Sequence, residues 1–199
     1  SGVLIEGGYK VITNRHVIEK TSNLYVRNAI GEMSAAKIEK ISDDDDLALL
    51  VLEKPFLNTR AIRANEFAQA MPGASIAVIG FPLSSILGSN SPSINNGIVS
   101  KITGIQDNNK NFQISAKMNK GNSGGGIFDQ RGNLIGIAMG GLDLIEIMEG
   151  KGYLPEHVNF AIHSDRLKQL NIKIMPTEKG EKLSLEELYK KYIGTVVMV

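Results

Sequence analysis

The 199-residue chain contains no cysteine. No disulfide and no thiolate metal site can form, and the redox compartment is left open. Tryptophan is also absent, and aromatic residues make up 6% of the chain. An excess of one charge is missing too: 22 Lys and Arg stand against 21 Asp and Glu, a net +1 spread along the chain. With neither a basic stripe nor an aromatic platform, nothing points to nucleic acid. No apolar run reaches membrane-spanning length. No signal peptide is seen in the sequence; it begins at Ser1 directly in an apolar strand, which is expected to be a processing boundary, so a missing signal says nothing about export. The length is enough to bury a real core, as one domain or two small barrels.

What is present concentrates in three segments. Residues 119–126 read Asn-Lys-Gly-Asn-Ser-Gly-Gly-Gly. Glycine adopts backbone angles closed to other residues, so this loop can aim several N–H groups at one point beside the Ser123 hydroxyl. A nucleophile beside converging donors is what acyl transfer requires. A Gly-rich turn between strands is the plain alternative. A serine hydroxyl also needs a base that titrates near neutrality, usually histidine. That histidine needs a carboxylate on its other ring nitrogen. Residues 11–17, Val-Ile-Thr-Asn-Arg-His-Val, end an apolar strand at His16. Residues 43–52 carry four aspartates into the apolar run Leu47–Leu52. The chain therefore supplies His, Asp and Ser in that order.

Thr13-Asn14-Arg15-His16-Val17, Asp46-Leu47-Ala48-Leu49-Leu50 and Gly121-Asn122-Ser123-Gly124-Gly125 resemble the three signature blocks of HtrA/DegP-like serine proteases, of the chymotrypsin-like double-barrel class. Four further segments, at residues 1–5, 96–100, 132–137 and 158–162, are similar to barrel strands of that family, so the resemblance covers roughly residues 1–170. It implies Ser123 as nucleophile, His16 as general acid and base, and Asp46 as orienting carboxylate. It also implies an oxyanion hole from the backbone N–H groups of Gly121 and Ser123. Asp46 is chosen because it directly precedes the Leu-Ala-Leu-Leu run; Asp43, Asp44 and Asp45 are expected in a solvated turn or a loose cation site. His157 and His163 match no catalytic position and read as surface or packing residues. No metal or cofactor is needed. The implied activity is serine endopeptidase, acting on protein or peptide in quality control or regulated processing. A catalytically silent binding or scaffolding module is the competing class. A viral capsid or polyprotein protease shares the fold but fits the blocks less well. The resemblance favours the cell envelope or periplasm and leaves oligomer formation open.

The resemblance places the primary specificity pocket at Lys117 and Met118, at Ala138, Met139 and Gly140, and at Val158, Asn159 and Phe160. Lys117 and Asn159 depart from the small or apolar residues usual there. An inward Lys117 would favour an acidic P1 side chain or block the pocket. An outward Lys117, which the cost of burying an unpaired ammonium favours, leaves a shallow apolar pocket. Residues 81–92 and 140–150 resemble the mobile activation loops beside HtrA active sites, which allows a resting state with an unformed oxyanion hole.

Apolar alternation predicts an all-β fold: strands near residues 2–6, 9–13, 23–27, 33–41 and 46–52, then near 75–80, 95–103, 111–116, 125–129, 133–139 and 157–162. A double six-stranded barrel needs one more strand at the start of the first barrel. Ser184 with Glu187 forms a capping-box signal before an amphipathic run, Gly194 stops it, and Thr195-Val196-Val197-Met198-Val199 follows as a β-branched strand. The expected organisation is a first barrel over residues 1–65, a second over 66–170, and a connector, helix and strand over 171–199 returning to the first barrel. The 13 residues 171–183 could span about 40 Å extended. This amounts to a circularly permuted protease domain without a PDZ domain, for which 171–199 are too few. Pairing of the last strand with another molecule is the alternative.

Overall fold

The computed structural model describes residues 1–140, 158–177 and 180–199. Twelve strands are found among them: β1 (Gly2–Ile5), β2 (Lys10–Thr13), β3 (Leu24–Arg27), β4 (Met33–Ile41), β5 (Ala48–Leu52), β6 (Ser75–Gly80), β7 (Ser93–Lys101), β8 (Asn111–Ile114), β9 (Gly126–Asp129), β10 (Leu134–Met139), β11 (Asn159–His163) and β12 (Val196–Val197). The helices are short: α1 (Arg15–Ile18), α2 (Ser84–Leu87) and α3 (Leu185–Tyr192). The first sheet has the order β12-β1-β2-β5-β4-β3, and the second is a closed barrel, β10-β11-β8-β7-β6-β9. The first sheet curls shut where Arg27 and Met198 exchange both backbone hydrogen bonds, at 2.9 and 2.8 Å.

Alternation along the strands divides the apolar residues into three cores. Leu4, Val11, Ala48, Leu50 and Val197 fill the first barrel. Val78, Val99, Phe112, Ile114 and Ile127 fill the second. Val3, Ile12, Leu49 and Val196 point the other way, into a cluster shared with Ile79, Phe128, Leu134 and Ile137. This is why β1 is buried at every position: both its faces are covered. In β10 the register slips between Leu134 and Gly136, and the alternation inverts across that bulge. Ile135 and Ala138 therefore both face the second barrel's interior.

The C-terminal segment takes the first-strand place. β12 runs antiparallel to β1, pairing Val197 with Gly2 and Val196 with Val3. The connector before it is tied along the surface: Met175 N–H donates to the Ala64 carbonyl at 2.7 Å, and Leu183 N–H to the Gln130 carbonyl at 2.7 Å. The expected capping box is present: Ser184 Oγ accepts from the Glu187 N–H, and the Ser184 N–H donates to the Glu187 carboxylate. Tyr192 then stacks on Phe128 at 4.3 Å between ring centres, and its hydroxyl donates to the Gly132 carbonyl. One segment thus anchors on the second barrel and completes the first.

Candidate active site

β2 ends at Thr13, whose hydroxyl donates to the Ser1 carbonyl beside the serine loop. Asn14 is extended, and α1 begins immediately, so His16 sits on a single helical turn at the strand's end. The acidic turn is held by Ser42 N–H donating to the Leu47 carbonyl at 2.9 Å and Leu47 N–H to the Asp45 carbonyl at 2.8 Å. It brings Asp46 against His16 twice. Asp46 Oδ2 lies 2.6 Å from His16 Nδ1, and Oδ1 accepts the His16 backbone N–H at 2.9 Å. Asn14 Nδ2 donates to the Asp46 carbonyl at 2.8 Å, fixing the turn itself. An ionised carboxylate only accepts, so Nδ1 carries the proton and Nε2 is left as the basic nitrogen.

Asp45 corrects the sequence expectation of a solvated turn. Its side chain is 2% exposed and pairs with Arg166 at 3.0 Å, on the 3-10 turn after β11. With its amide turned to satisfy its neighbours, Gln169 donates to Ser42 Oγ at 2.6 Å and to Asp45 Oδ2 at 2.9 Å. A carboxylate can be buried when charge and donors meet it, and here they come from the other barrel. The neighbour of Asp46 is therefore a fastening between the barrels.

The loop carrying Ser123 is tightly wound. Asn122 N–H donates to the Asn119 carbonyl at 3.0 Å and Gly125 N–H to the Asn122 carbonyl at 2.8 Å. Gly124 N–H and the Gly125 carbonyl both pair with Ala138, at 3.0 and 2.8 Å. A side chain at Gly124 would strike the Ser1 carbonyl and Thr13 Oγ1, so the exit of β2 and the serine loop touch directly. Ser123 itself is buried at 8% exposure. In a trans peptide the N–H points opposite the carbonyl. The Lys120 carbonyl is engaged by Leu83 N–H at 2.8 Å and the Asn122 carbonyl by Gly125 N–H. The Gly121 and Ser123 N–H groups therefore point away from those partners. Neither donates to another group among the described residues. Gly121 has φ 101, and a Cβ there would run into the Phe81 carbonyl, which is why glycine is needed.

The expected specificity positions fall into three groups. Lys117 is exposed, as an outward side chain requires, and Met118 is half-buried against the mouth of the second barrel core. Ala138 is fully buried and its backbone N–H and carbonyl are held by Gly125 and Gly124; Met139 and Phe160 are paired neighbours in the shared core. Gly140 and Asn159 border the site: a Cβ at Gly140 would collide with Ser123 Oγ, and Asn159 Nδ2 donates to the Ala116 carbonyl at 2.8 Å. Val158 is half-buried beside them. His163 packs on Phe112 at 4.8 Å, as a packing residue. His157 and residues 141–150 of the second expected loop lie outside the described residues. Sequence reasoning missed Ser1, Asn14, Leu83 and Arg166 as supports of the site. Asn14 lay in a catalytic block, Ser1 in the family-like segment 1–5 and Leu83 in the loop 81–92, but none was read as a support.

The trypsin-like peptidase domain profile matches residues 1–137. Serine endoprotease DegS of Haemophilus influenzae is 32% identical over 180 residues, 88% of this chain and 49% of its own length. Periplasmic serine endoprotease DegP of Salmonella typhimurium is 35% identical over 143 residues, 69% of this chain and 29% of its own length. The chain thus spans half or less of these relatives. The crystal structure of the serine endoprotease from Yersinia pestis superposes with a TM-score of 0.68 at 27% identity, covering 85% of this chain and 55% of that one. The chain belongs to the trypsin-like peptidase family, and its likeness within that family is to HtrA-type serine proteases.

Proposed function

We propose that the chain is a serine endopeptidase unit that hydrolyses peptide bonds through an acyl-enzyme on Ser123. The observation that carries this reading is the double engagement of His16 by Asp46, on the ring at 2.6 Å and on the backbone N–H at 2.9 Å. It fixes the ring's position and its tautomer together, which a merely structural histidine does not need. His16 Nε2 takes the Ser123 hydroxyl proton as Oγ bonds to the substrate carbonyl carbon. The resulting oxyanion is held by the Gly121 and Ser123 N–H groups. As the C–N bond breaks, His16 returns the proton to the leaving amine. Water then attacks the acyl group, its proton passing to His16, and the departing Ser123 oxygen recovers it.

The substrate class is protein or peptide, as the relatives' endoprotease names support. We place the unit in the cell envelope by analogy with the relative named as periplasmic. The fit of 195–199 into the first-strand place supports reading the fold as circularly permuted, with 1–65 and 66–170 as its barrels. The test is labelling by a serine-reactive fluorophosphonate, read by intact mass, on the chain and on Ser123→Ala. One adduct on the first and none on the second is expected. No adduct on either overturns the reading in favour of a silent binding module.

A further inference from the structure

Four polar contacts converge on Ser1, which is 6% exposed and belongs to no recognised catalytic block. Its Oγ donates to the Gly121 carbonyl at 2.6 Å and accepts the Phe81 N–H at 2.9 Å. Its own nitrogen reaches the same Gly121 carbonyl at 3.4 Å, and its carbonyl accepts Thr13 Oγ1 at 2.7 Å. The residue therefore joins three pieces of chain: the exit of β2, which leads to His16; the exit of β6 at Phe81; and the loop that turns through Gly121.

We propose that Ser1 is a positioning residue for the oxyanion hole, its hydroxyl acting as a strut that holds the Gly121 carbonyl and so the peptide planes around it. The inference rests on the oxyanion reading given above. Gly121 lies between two peptide units, and each has its carbonyl pinned by a donor from outside the loop. Leu83 N–H holds the Lys120 carbonyl at 2.8 Å, and Ser1 Oγ holds that of Gly121. Glycine at φ 101 has little torsional resistance of its own, so the orientation of its N–H depends on these two external anchors together with the loop's own bond from Asn122 N–H to the Asn119 carbonyl. The Leu83 anchor sits in residues 81–92, at a left-handed leucine with φ 47. The Ser1 anchor comes from the first barrel. Through it the packing of β1 and β2 bears on a group that acts only on developing negative charge. Loss of the strut should therefore weaken the transition state far more than substrate binding.

The test compares Ser1→Ala and Ser1→Thr with the unaltered chain. Readouts are peptide hydrolysis (kcat and KM separately), fluorophosphonate labelling rate, and the thermal midpoint. For Ser1→Ala, kcat and the labelling rate are expected to fall about tenfold or more with KM within twofold, the range of one lost oxyanion anchor acting indirectly. Ser1→Thr, which keeps the hydroxyl, is expected to recover most of both. Unchanged kcat in a folded Ser1→Ala overturns the proposal. So does a loss that follows the fraction unfolded and is equal in Ser1→Thr. Absence of labelling in the unaltered chain would instead overturn the protease reading, which keeps the two failures apart.

Discussion

Truncation after Gly194 removes the strand that completes the first barrel, and the structure sets the size of the effect. Val196 and Val197 are both fully buried, one in the shared core and one inside the first barrel. Burying a valine side chain is worth about 1.5–3 kcal/mol, so the pair contributes about 3–6 kcal/mol. The truncation also takes away the Thr195 carbonyl that accepts Leu4 N–H, the paired bonds between Arg27 and Met198, and the Thr195 hydroxyl donated to the Arg60 carbonyl. Each of these four bonds is worth about 1 kcal/mol net; of the partners left behind, Leu4 is buried and Arg27 and Arg60 are half-buried. The total is about 7–10 kcal/mol, against a typical domain stability of about 5–15 kcal/mol. The first barrel should not hold together without this strand. A graded version is Val197→Ala, expected to cost about 2 kcal/mol and to lower the urea midpoint by about 1 M. Urea denaturation followed by circular dichroism, with size-exclusion chromatography across a hundredfold range of concentration, measures both. A truncated chain that is monomeric, folded and unchanged in midpoint would refute the reasoning. A midpoint of the full chain that rises with concentration would show the strand filling a neighbour's barrel instead.

Three further outcomes follow from named contacts. Gly140→Ala places a methyl group on Ser123 Oγ; labelling should fall at least a hundredfold while the thermal midpoint stays within a few degrees, and normal labelling would show that the loop moves aside. Arg166→Ala strips the charge from buried Asp45 and should cost about 2–4 kcal/mol in urea unfolding, with kcat lowered as the Asp46 turn loosens; no change in either would mean that water replaces the guanidinium. Burial pushes the Tyr192 phenol up to about 12. The folded state then holds this proton more tightly than the unfolded state, with its value near 10. That stability is complete below about pH 10 and is lost as pH rises towards 12, by about 2–3 kcal/mol. Tyr192→Phe should flatten the fall in urea midpoint between pH 10 and 12, and an unaltered slope would contradict the assignment.

The strands were legible because their apolar residues alternate and are rich in Val and Ile. The bulge at Leu134–Gly136 left no such mark, so which side chains of β10 face inward was not readable. The three site blocks were legible because their geometry is local: a strand end before His16, an aspartate before a buried run, a glycine-rich turn around Ser123. The supports were hidden for the opposite reason. Arg166 stands 121 residues from Asp45, and Ser1 stands 120 from Gly121. In the run Asp43–Asp46 composition alone suggests four solvated carboxylates, whereas the partner across the barrel interface decides which one is buried. The C-terminal strand was readable from its capping box and β-branched run, and its place from the vacancy the strand count left.

The most direct test of the central claim is trapping of the acyl-enzyme. The chain is reacted with an activated peptide ester, quenched in acid and mapped by mass spectrometry. A rapid burst of leaving group, with one acyl group on Ser123 within residues 119–126, is the expected result, lost in Ser123→Ala and slowed by orders of magnitude in Asp46→Asn. Turnover of the ester that persists in Ser123→Ala, with no acyl group on Ser123, would contradict it.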